Sequence, residues 1–284
     1  NGEIFNYKEL YKLLGITPQT ESDCEVIIHL YKKYGIEYTL QLLHGEYAFI
    51  ILDCRLSNTS LENYIHIARD PFGVRPLFTF LVNIPYTPVG FPFGTIGFAS
   101  EMKSLIDVKN MYDNSIISQF KPGCYSTFTL GNMVNAIWRM TINEKGFYTL
   151  PACNISHTID NTTIDNTTID NTTINDMFAL YLKRAVITRC ENSERPVACL
   201  LSGGLDSSTV AAIANNHFRS QGKKLQTFSI GLKDSDDLAY ARQVAEYLDT
   251  QHHECIIEES NLLDMIKEVI HAIESYDTTT VRAS

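Results

Sequence analysis

The sequence predicts two domains of mixed α/β and α+β class: a first half of mainly antiparallel strands and a second half on a doubly wound parallel sheet. Three observations support this prediction. The 284 residues exceed one average domain. A five-residue repeat rich in Asn, Asp and Thr interrupts the chain at 154–176. Before the repeat most apolar runs have the character of strands, whereas after it strands alternate regularly with helices.

The composition limits the classes of partner. Apolar residues make up 44% of the chain, and no apolar run approaches the roughly 18 residues of a membrane helix. The net charge of −10 argues against a nucleic-acid binder, because phosphate contacts need a concentrated basic surface. Seven cysteines without CxxC spacing support neither a disulfide framework nor a zinc site. We expect a cytoplasmic protein that acts on small molecules, without nucleic-acid or membrane partners, and a homodimer stays open.

In the first half, β-branched and aromatic runs broken by Pro and Gly predict strands at 46–53, 63–70, 76–81 and 96–100. One helix lies before them. Ser22 or Asp23 is its expected N-cap and Gly35 its expected end. The helix has an apolar face made of Val26, Ile27, Leu30, Tyr31 and Tyr34.

The repeat Thr-Ile-Asp-Asn-Thr matches neither the helical nor the strand period, and its residues favour turns. It predicts a solvated linker over 151–176 between domains at 1–150 and 177–284. Sequons such as Asn161-Thr162-Thr163 would accept glycans only in a secreted protein, which the cysteine pattern disfavours.

In the second half, apolar strands alternate with amphipathic helices of a length that suits right-handed βαβ units. The predicted strands and helices, in chain order, are 196–201, 207–218, 225–232, 237–249, 252–259 and 261–277. In such sheets ligands bind beyond the carboxyl ends of the strands. Two other residue types have simple structural interpretations: the adjacent His252 and His253 face opposite sides of a strand, and Trp138 is a core or domain-interface anchor.

The segment Ser202-Gly203-Gly204-Leu205-Asp206-Ser207-Ser208 follows the first of these strands and opens a helix. Small side chains let a ligand approach the backbone, and the helix N-terminus favours an anion such as a phosphate chain. Asp206 beside a phosphate predicts a Mg²⁺ ligand, since the two negative charges otherwise repel; the alternative is a helix cap. The loop lacks the Lys of a Walker A motif and the Gly-x-Ser-x-Gly of a nucleophile elbow.

This segment resembles the SGGxDS loop of the ATP-pyrophosphatase (PP-loop) enzymes. Further stretches resemble the family of glutamine-dependent asparagine synthetases in the same order along the chain: NGEIFNY, ESDCEVIIHLYKKYG, HGEYAFIILD, ARDPFGVRPLF, FASEMKSL, FSIGL, DDLAYARQVAEYL, HHE and ESYDTTTVRAS. The resemblance implies a class II, N-terminal-nucleophile glutaminase sandwich followed by a PP-loop sheet. It also implies amidation of aspartate through β-aspartyl-AMP, driven by ATP with Mg²⁺ and using ammonia from glutamine.

The resemblance assigns roles in the first domain to four residues. Asn1 and Gly2 would form the oxyanion hole, through the Asn side chain and the Gly N–H. Glu3 and Asp23 would hold the α-amino group of glutamine, although solvent-facing acids are the alternative interpretation.

In the second domain the resemblance implies that Ile230 lies on the strand whose backbone recognises adenine. Thr279, Thr280 and Arg282 would bind aspartate and stabilise the adenylating transition state. The residues expected to bind ATP and pyrophosphate are Leu201, Ser202, Gly203, Gly204, Asp206, Ser207 and Ser208, with Asp206 also the Mg²⁺ ligand.

The sequence departs from the family pattern at both ends. Residue 1 is Asn where the glutaminase uses an N-terminal Cys, and the chain stops before the downstream SGE-type loop. We therefore expect this chain to be a fragment that does not hydrolyse glutamine and is inactive. For the parent, the alternatives are another PP-loop ligase such as a β-lactam synthetase, or a non-catalytic homologue with a binding or regulatory role. Amidophosphoribosyltransferase shares the glutaminase but has no pyrophosphatase loop.

Overall fold

The computed structural model describes residues 1–55, 63–83, 92–130, 138–149, 171–193, 195–275 and 277. The chain divides into two units, Asn1–Ile159 and Asp160–Ser284. Both units contain helices and sheets, which gives the mixed α/β class that the sequence predicts.

The first unit contains an eight-stranded antiparallel sheet with the order β1-β2-β3-β7-β8-β5-β4-β6. Its strands are β1 (Gly2–Ile4), β2 (Gly45–Asp53), β3 (Asn63–Arg69), β4 (Phe78–Asn83), β5 (Pro92–Ala99), β6 (Ser115–Gln119), β7 (Cys124–Leu130) and β8 (Trp138–Gly146). The four predicted strands correspond to β2, β3, β4 and β5. The prediction missed β1, β6, β7 and β8, which are short or rich in polar residues.

The helices of the first unit are α1 (Tyr7–Leu14), α2 (Glu25–Leu42) and α3 (Lys103–Lys109). The predicted helix is the first part of α2, and Gly35, with a φ of 77°, breaks it there. The chain then continues as helix to Leu42, which the sequence did not predict. The expected side-chain cap is wrong: neither Ser22 nor Asp23 caps α2, because the Asp23 carboxylate accepts the backbone N–H of Ile4 instead.

The core of the first unit lies between α1, α2 and the β1–β2 end of the sheet. Val26 and Leu30 of the predicted apolar face are fully buried, whereas Tyr34 is exposed. A second cluster forms around Ile67, Leu77 and Phe128, and Trp138 packs against it as a partly buried side chain. Trp138 is therefore a core residue, as one of its two interpretations held.

A buried charged turn follows β3. The Arg69 guanidinium donates to the carbonyl oxygens of Arg75, Phe120 and Gly73 at 2.7, 2.7 and 2.8 Å. The neighbouring Asp70 carboxylate accepts three backbone N–H groups from residues 72–75. Both side chains are almost fully buried, so their charges are satisfied by the backbone of the turn rather than by water.

The second unit contains a three-stranded parallel sheet with the order β11-β10-β9. The strands are β9 (Ala198–Leu200), β10 (Gln226–Leu232) and β11 (Gln251–Ile257), and the helices are α4 (Asn171–Asn192), α5 (Leu205–Ser220), α6 (Asp236–Leu248) and α7 (Glu259–Ile273). The predicted alternation is therefore observed, with bounds shifted by a few residues.

Helix α4 begins inside the five-residue repeat. Residues 171–176 of the repeat belong to this helix, and residues 151–170 lie outside the described part of the chain. Extending a formed helix costs far less than nucleating one, because each added residue gains a hydrogen bond. The segment after 177 can thus carry the helix back into the repeat despite its turn-favouring residues.

Helices α5 and α6 pack on one face of the parallel sheet through small and apolar side chains around Leu201, Ala211 and Ala241. The opposite face exposes apolar side chains in the described residues: Leu200 is 82% exposed and Ile230 65%. The second helical layer of a doubly wound sheet therefore stays a prediction.

The two adjacent histidines of β11 behave as predicted. His252 faces α6 and lies 2.9 Å from the Thr227 hydroxyl through Nδ1 and 3.2 Å from the Ser229 hydroxyl through Nε2. His253 is exposed and stacks on Phe228.

Candidate functional sites

The segment 202–208 connects the carboxyl end of β9 to the N-terminus of α5. Leu201, just before it, is buried, and its N–H donates to the Phe228 carbonyl at 2.8 Å, which ties the start of the loop to β10. The first turn of α5 leaves backbone N–H groups without intrahelical partners, and they point into the loop. The N-terminus of a helix is a favourable place for an anion.

The serines of this loop bond mainly to the loop itself. The hydroxyl groups of Ser202 and Ser207 lie 2.9 Å apart, and the Ser207 hydroxyl donates to the Gly204 carbonyl at 3.2 Å. Ser208 behaves differently, because its Oγ is buried and has no partner in the described residues. A buried hydroxyl without a partner costs free energy, so this position favours a ligand that supplies one.

The two glycines of the loop, Gly203 and Gly204, have different structural roles. Gly203 has a φ of 80°, and a Cβ on it would lie 2.5 Å from Cβ of Tyr240 and 2.6 Å from the Ala241 nitrogen. At Gly204 a Cβ would meet only the Ser202 Oγ at 3.5 Å among the described atoms. Gly203 is therefore required for the packing of α6 on the loop, whereas Gly204 keeps the outer side of the loop open.

Asp206 lies in the first turn of α5 with its side chain exposed. Within the described residues no cationic side chain pairs with it. A single exposed carboxylate is compatible with Mg²⁺, which takes few protein ligands and completes its shell with phosphate oxygens and water. The donor set thus fits the ion, and the helix-cap alternative finds no support, since Gly204 occupies the N-cap position.

The direction of the Ile230 backbone N–H and C=O groups follows from the pairing of β10. In a strand, alternate residues direct their N–H and C=O groups to the same side, and Phe228 directs its carbonyl to Leu201. The Ile230 backbone therefore faces the same side, where β9 has already ended at Leu200. Its polar groups lie next to the space beyond the Ser202–Gly204 turn.

In the first unit, β1 brings three of the predicted residues to one edge of the antiparallel sheet. Gly2 lies so close to β2 that a Cβ would be 2.2 Å from the Glu46 carbonyl oxygen, so only glycine fits. Asn1 is exposed and Glu3 is partly buried. Asp23 reaches the same edge through its bond to the Ile4 N–H.

Both predicted carboxylates, Glu3 and Asp23, lie near enough to Cys24 to affect its thiol. Burial raises the pKa of the Cys24 thiol to about 11, with further contributions from the negative charges of Asp23 and Glu3. Two carboxylates at one edge can face an ammonium group.

The second expected substrate site is the one for aspartate. Thr279, Thr280 and Arg282 lie outside the described residues. The chain section that the structure covers holds no group of three or more His, Cys, Asp or Glu side chains arranged for a metal ion. None of the described helices combines the length and the apolar character needed to cross a membrane.

Comparison with known proteins gives one family match in each half of the chain. Residues 1–137 match the glutamine amidotransferase domain family, and residues 177–284 match the asparagine synthase family. Glutamine-hydrolysing asparagine synthetases are similar along the whole chain, with 37% identity for that of Gallus gallus, 39% for that of Zea mays and 34% for that of Homo sapiens.

The chain resembles the glutamine-hydrolysing asparagine synthetases. It spans about half the length of the curated relatives it matches, with 48% of the chicken and human proteins and 42% of the maize protein covered. The loop 202–208 and Ile230 lie within the asparagine synthase match, and β1 with Asp23 lies within the amidotransferase match.

Two contacts at these candidate sites could not be predicted from the sequence pattern. Tyr240 packs over Gly203, and Cys24 contacts the Gly2 carbonyl. No local sequence pattern predicts the first contact, because the two residues are far apart in sequence and meet only in the folded protein. For the second contact the only local signal is a neighbour, since Cys24 immediately follows the predicted substrate ligand Asp23.

Proposed function

We propose that the protein makes asparagine from aspartate, using ATP and the amide nitrogen of glutamine, and releases AMP and pyrophosphate. The observation that carries this proposal is the loop 202–208 at the carboxyl end of β9, in a chain whose other half matches a glutamine amidotransferase domain. A phosphate-binding loop and a nitrogen-supplying domain on one chain fit an amidating ligase.

The proposed nucleotide site uses the backbone of 202–205 and the hydroxyl groups of Ser207 and Ser208 for the pyrophosphate. Asp206 would hold Mg²⁺, which would neutralise charge on the leaving pyrophosphate when bound. Leu201 would contribute backbone only, because its side chain is buried. The Ile230 backbone would bind the adenine edge, since it faces the gap beyond the end of β9.

The proposed aspartate site uses Thr279, Thr280 and Arg282. A guanidinium stays charged and can bind carboxylate or phosphate in two places, which suits a residue that contacts substrate and the transferring phosphorus centre. The hydroxyl groups would orient the aspartate.

The proposed glutaminase site uses Asn1 and Gly2 as oxyanion donors and Glu3 and Asp23 as ligands of the substrate ammonium. The Gly2 N–H faces away from β2, as an oxyanion donor requires. We also propose that residues 1–150 form an N-terminal-nucleophile sandwich and residues 177–284 a PP-loop sheet, with a linker between them. A cytoplasmic location fits cysteines that are free throughout the described residues.

The test uses protein expressed from the complete coding sequence. With aspartate, ATP and Mg²⁺, we expect pyrophosphate release that requires aspartate and equals the asparagine formed, with either glutamine or ammonium as nitrogen donor. Activity with ammonium alone would remove the glutaminase from the proposal. Pyrophosphate release that does not depend on aspartate, or no release, would overturn it.

A further inference from the structure

Tyr240 lies where α6 meets the loop 202–208. A Cβ on Gly203 would be 2.5 Å from the Tyr240 Cβ, 2.7 Å from the Tyr240 carbonyl carbon and 2.6 Å from the Ala241 nitrogen. The side chain of Tyr240 therefore begins directly beside the backbone of the loop.

The position of Tyr240 in α6 determines where its ring extends. α6 begins at Asp236, after a short turn that follows the carboxyl end of β10, and it ends at Leu248. Tyr240 lies near the start of this helix, close to the edge of the sheet at which the loop 202–208 also lies. Because the side chains of a helix lean toward its N-terminus, the ring of Tyr240 is directed toward this edge.

The phenol of Tyr240 is available to a ligand. The residue is 58% exposed, although its Cβ lies against the loop. Within the described part of the chain, no hydrogen bond joins its hydroxyl to another residue. A phenol hydroxyl can donate to a phosphate oxygen, and a hydrogen bond to a charged acceptor is stronger than one between neutral groups. Tyr240 can thus add a donor beside the N-terminus of α5, where an anion is already favoured.

Tyr247 provides a contrast on the same helix. It is 88% exposed and lies near the C-terminal end of α6. Its separation from Tyr240 corresponds to about two helical turns, so both side chains project from a similar side of the helix, about 10 Å apart along its axis. Exposure therefore does not distinguish Tyr240. Its contact with Gly203 and its nearness to the loop distinguish it.

We propose that Tyr240 is a binding residue of the nucleotide site, whose hydroxyl donates to an oxygen of the pyrophosphate held by the loop 202–208. This inference rests on the proposed function, which places pyrophosphate in that loop. Tyr240 would add a donor from α6 to the donors that the loop and α5 supply. It binds the phosphate chain and takes no part in proton transfer.

The binding test uses protein expressed from the complete coding sequence, with inorganic pyrophosphate and Mg²⁺ as the probe. Tyr240→Phe removes only the hydroxyl, and Tyr240→Ala removes the ring but keeps the Cβ that contacts Gly203. Calorimetry should show both variants binding pyrophosphate about tenfold more weakly, the effect of one hydrogen bond to a charged group. Tyr247→Phe is the matched control and should bind as the unmodified protein does.

A second readout needs no variant. Tetranitromethane nitrates accessible tyrosine rings, and mass spectrometry of the peptides measures each position separately. In the unmodified protein, pyrophosphate with Mg²⁺ should slow the nitration of Tyr240 and leave that of Tyr247 unchanged. Equal nitration of Tyr240 with and without pyrophosphate would overturn the inference.

The outcomes of the binding test separate this inference from the proposed function. If the unmodified protein binds pyrophosphate and makes asparagine while Tyr240→Phe binds pyrophosphate equally well, the inference fails and the proposed function stands. Weaker binding by Tyr240→Ala alone would assign the contact to the ring and would also overturn the proposed hydroxyl donor. If the unmodified protein binds no pyrophosphate, both the inference and the proposed nucleotide site fail.

Discussion

Tyr240 of α6 lies directly against Gly203 of the loop 202–208, so that a Cβ on Gly203 would be 2.5 Å from Cβ of Tyr240. The contact ties the loop after β9 to the helix after β10. This packing limits the conformations that the loop can adopt, which would favour binding of any ligand that fits the observed one.

Gly203→Ala should therefore destabilise the second unit. The left-handed backbone costs about 1–2 kcal/mol for a residue with a Cβ, and overpacking against α6 adds about 1–3 kcal/mol. Gly222→Ala is the matched control, since Gly222 also has a positive φ but nothing lies within 4 Å of its Cβ position. Denaturant unfolding followed by far-UV circular dichroism measures both. Equal losses for the two variants would contradict the packing role of Gly203.

Gly204→Ala should separate ligand binding from folding. Its φ of −71° suits any residue, and its Cβ would have only the Ser202 Oγ near it in the described structure, so stability should change by less than about 1 kcal/mol. The methyl group would lie on the outer side of the loop, where a phosphate must approach. Calorimetry should show weaker binding of ATP or pyrophosphate in the presence of Mg²⁺. Unchanged binding would show that the anion does not contact this side.

Asp206→Asn should abolish the Mg²⁺ dependence of pyrophosphate binding while leaving the fold intact. The side chain is exposed, so its charge contributes to stability only through the helix N-terminus, about 0.3–1 kcal/mol. Asp237→Asn makes the same change in the first turn of α6 and should leave binding unaltered. Titration of pyrophosphate with and without Mg²⁺ distinguishes the two variants. If the ion strengthens binding equally in both, Asp206 is not its ligand.

The sequence predicted the elements of the second unit better than those of the first. Strong apolar runs marked β10 and β11, and each predicted helix of that unit overlaps an observed one. In the first unit the polar strand β8 has no apolar run and forms because β7 and β5 pair with it on either side. The local sequence pattern of a segment cannot predict pairing with strands that are distant in the chain. For the same reason, the small loop 202–208 could be found from residue types, whereas its contact with Tyr240 required the fold.

Arg69→Lys should strongly destabilise the first unit. The guanidinium bonds three carbonyl oxygens in a fixed fork, and an ammonium group cannot reach all three. Leaving buried carbonyls unpaired beside a buried charge should cost about 3 kcal/mol. Trp138, the one tryptophan of the sequence, reports unfolding of this unit by fluorescence. The exposed Arg139 provides the control, and Arg139→Lys should change stability by less than about 0.5 kcal/mol.

His66 should make the first unit less stable as the pH falls below neutrality. Its ring is buried, with Nε2 3.0 Å from the Tyr31 hydroxyl and Nδ1 2.9 Å from the Thr127 hydroxyl. Since Tyr31 donates to Asp53 at 2.7 Å, the Nε2–H of His66 donates to Tyr31 and Nδ1 accepts from Thr127. The neutral ring is therefore fully bonded, and burial lowers the pKa of His66 although the charge of Asp53 opposes this.

The unfolded chain takes up a proton at His66 near its ordinary pKa of about 6.5, while the folded protein does so only at lower pH. Stability should thus fall between about pH 7 and pH 5, by up to about 1.4 kcal/mol per pH unit from this group. The pKa of Asp53 is lowered, chiefly by Arg55, so its contribution disappears only at more acidic pH, below its unfolded value of about 3.9.

Urea unfolding followed by Trp138 fluorescence from pH 7.5 to 5.0 measures the slope. His66→Gln, which keeps a donor and an acceptor but does not titrate, should flatten that slope even if it lowers stability throughout. Parallel slopes for the two proteins would show that His66 does not set this pH dependence.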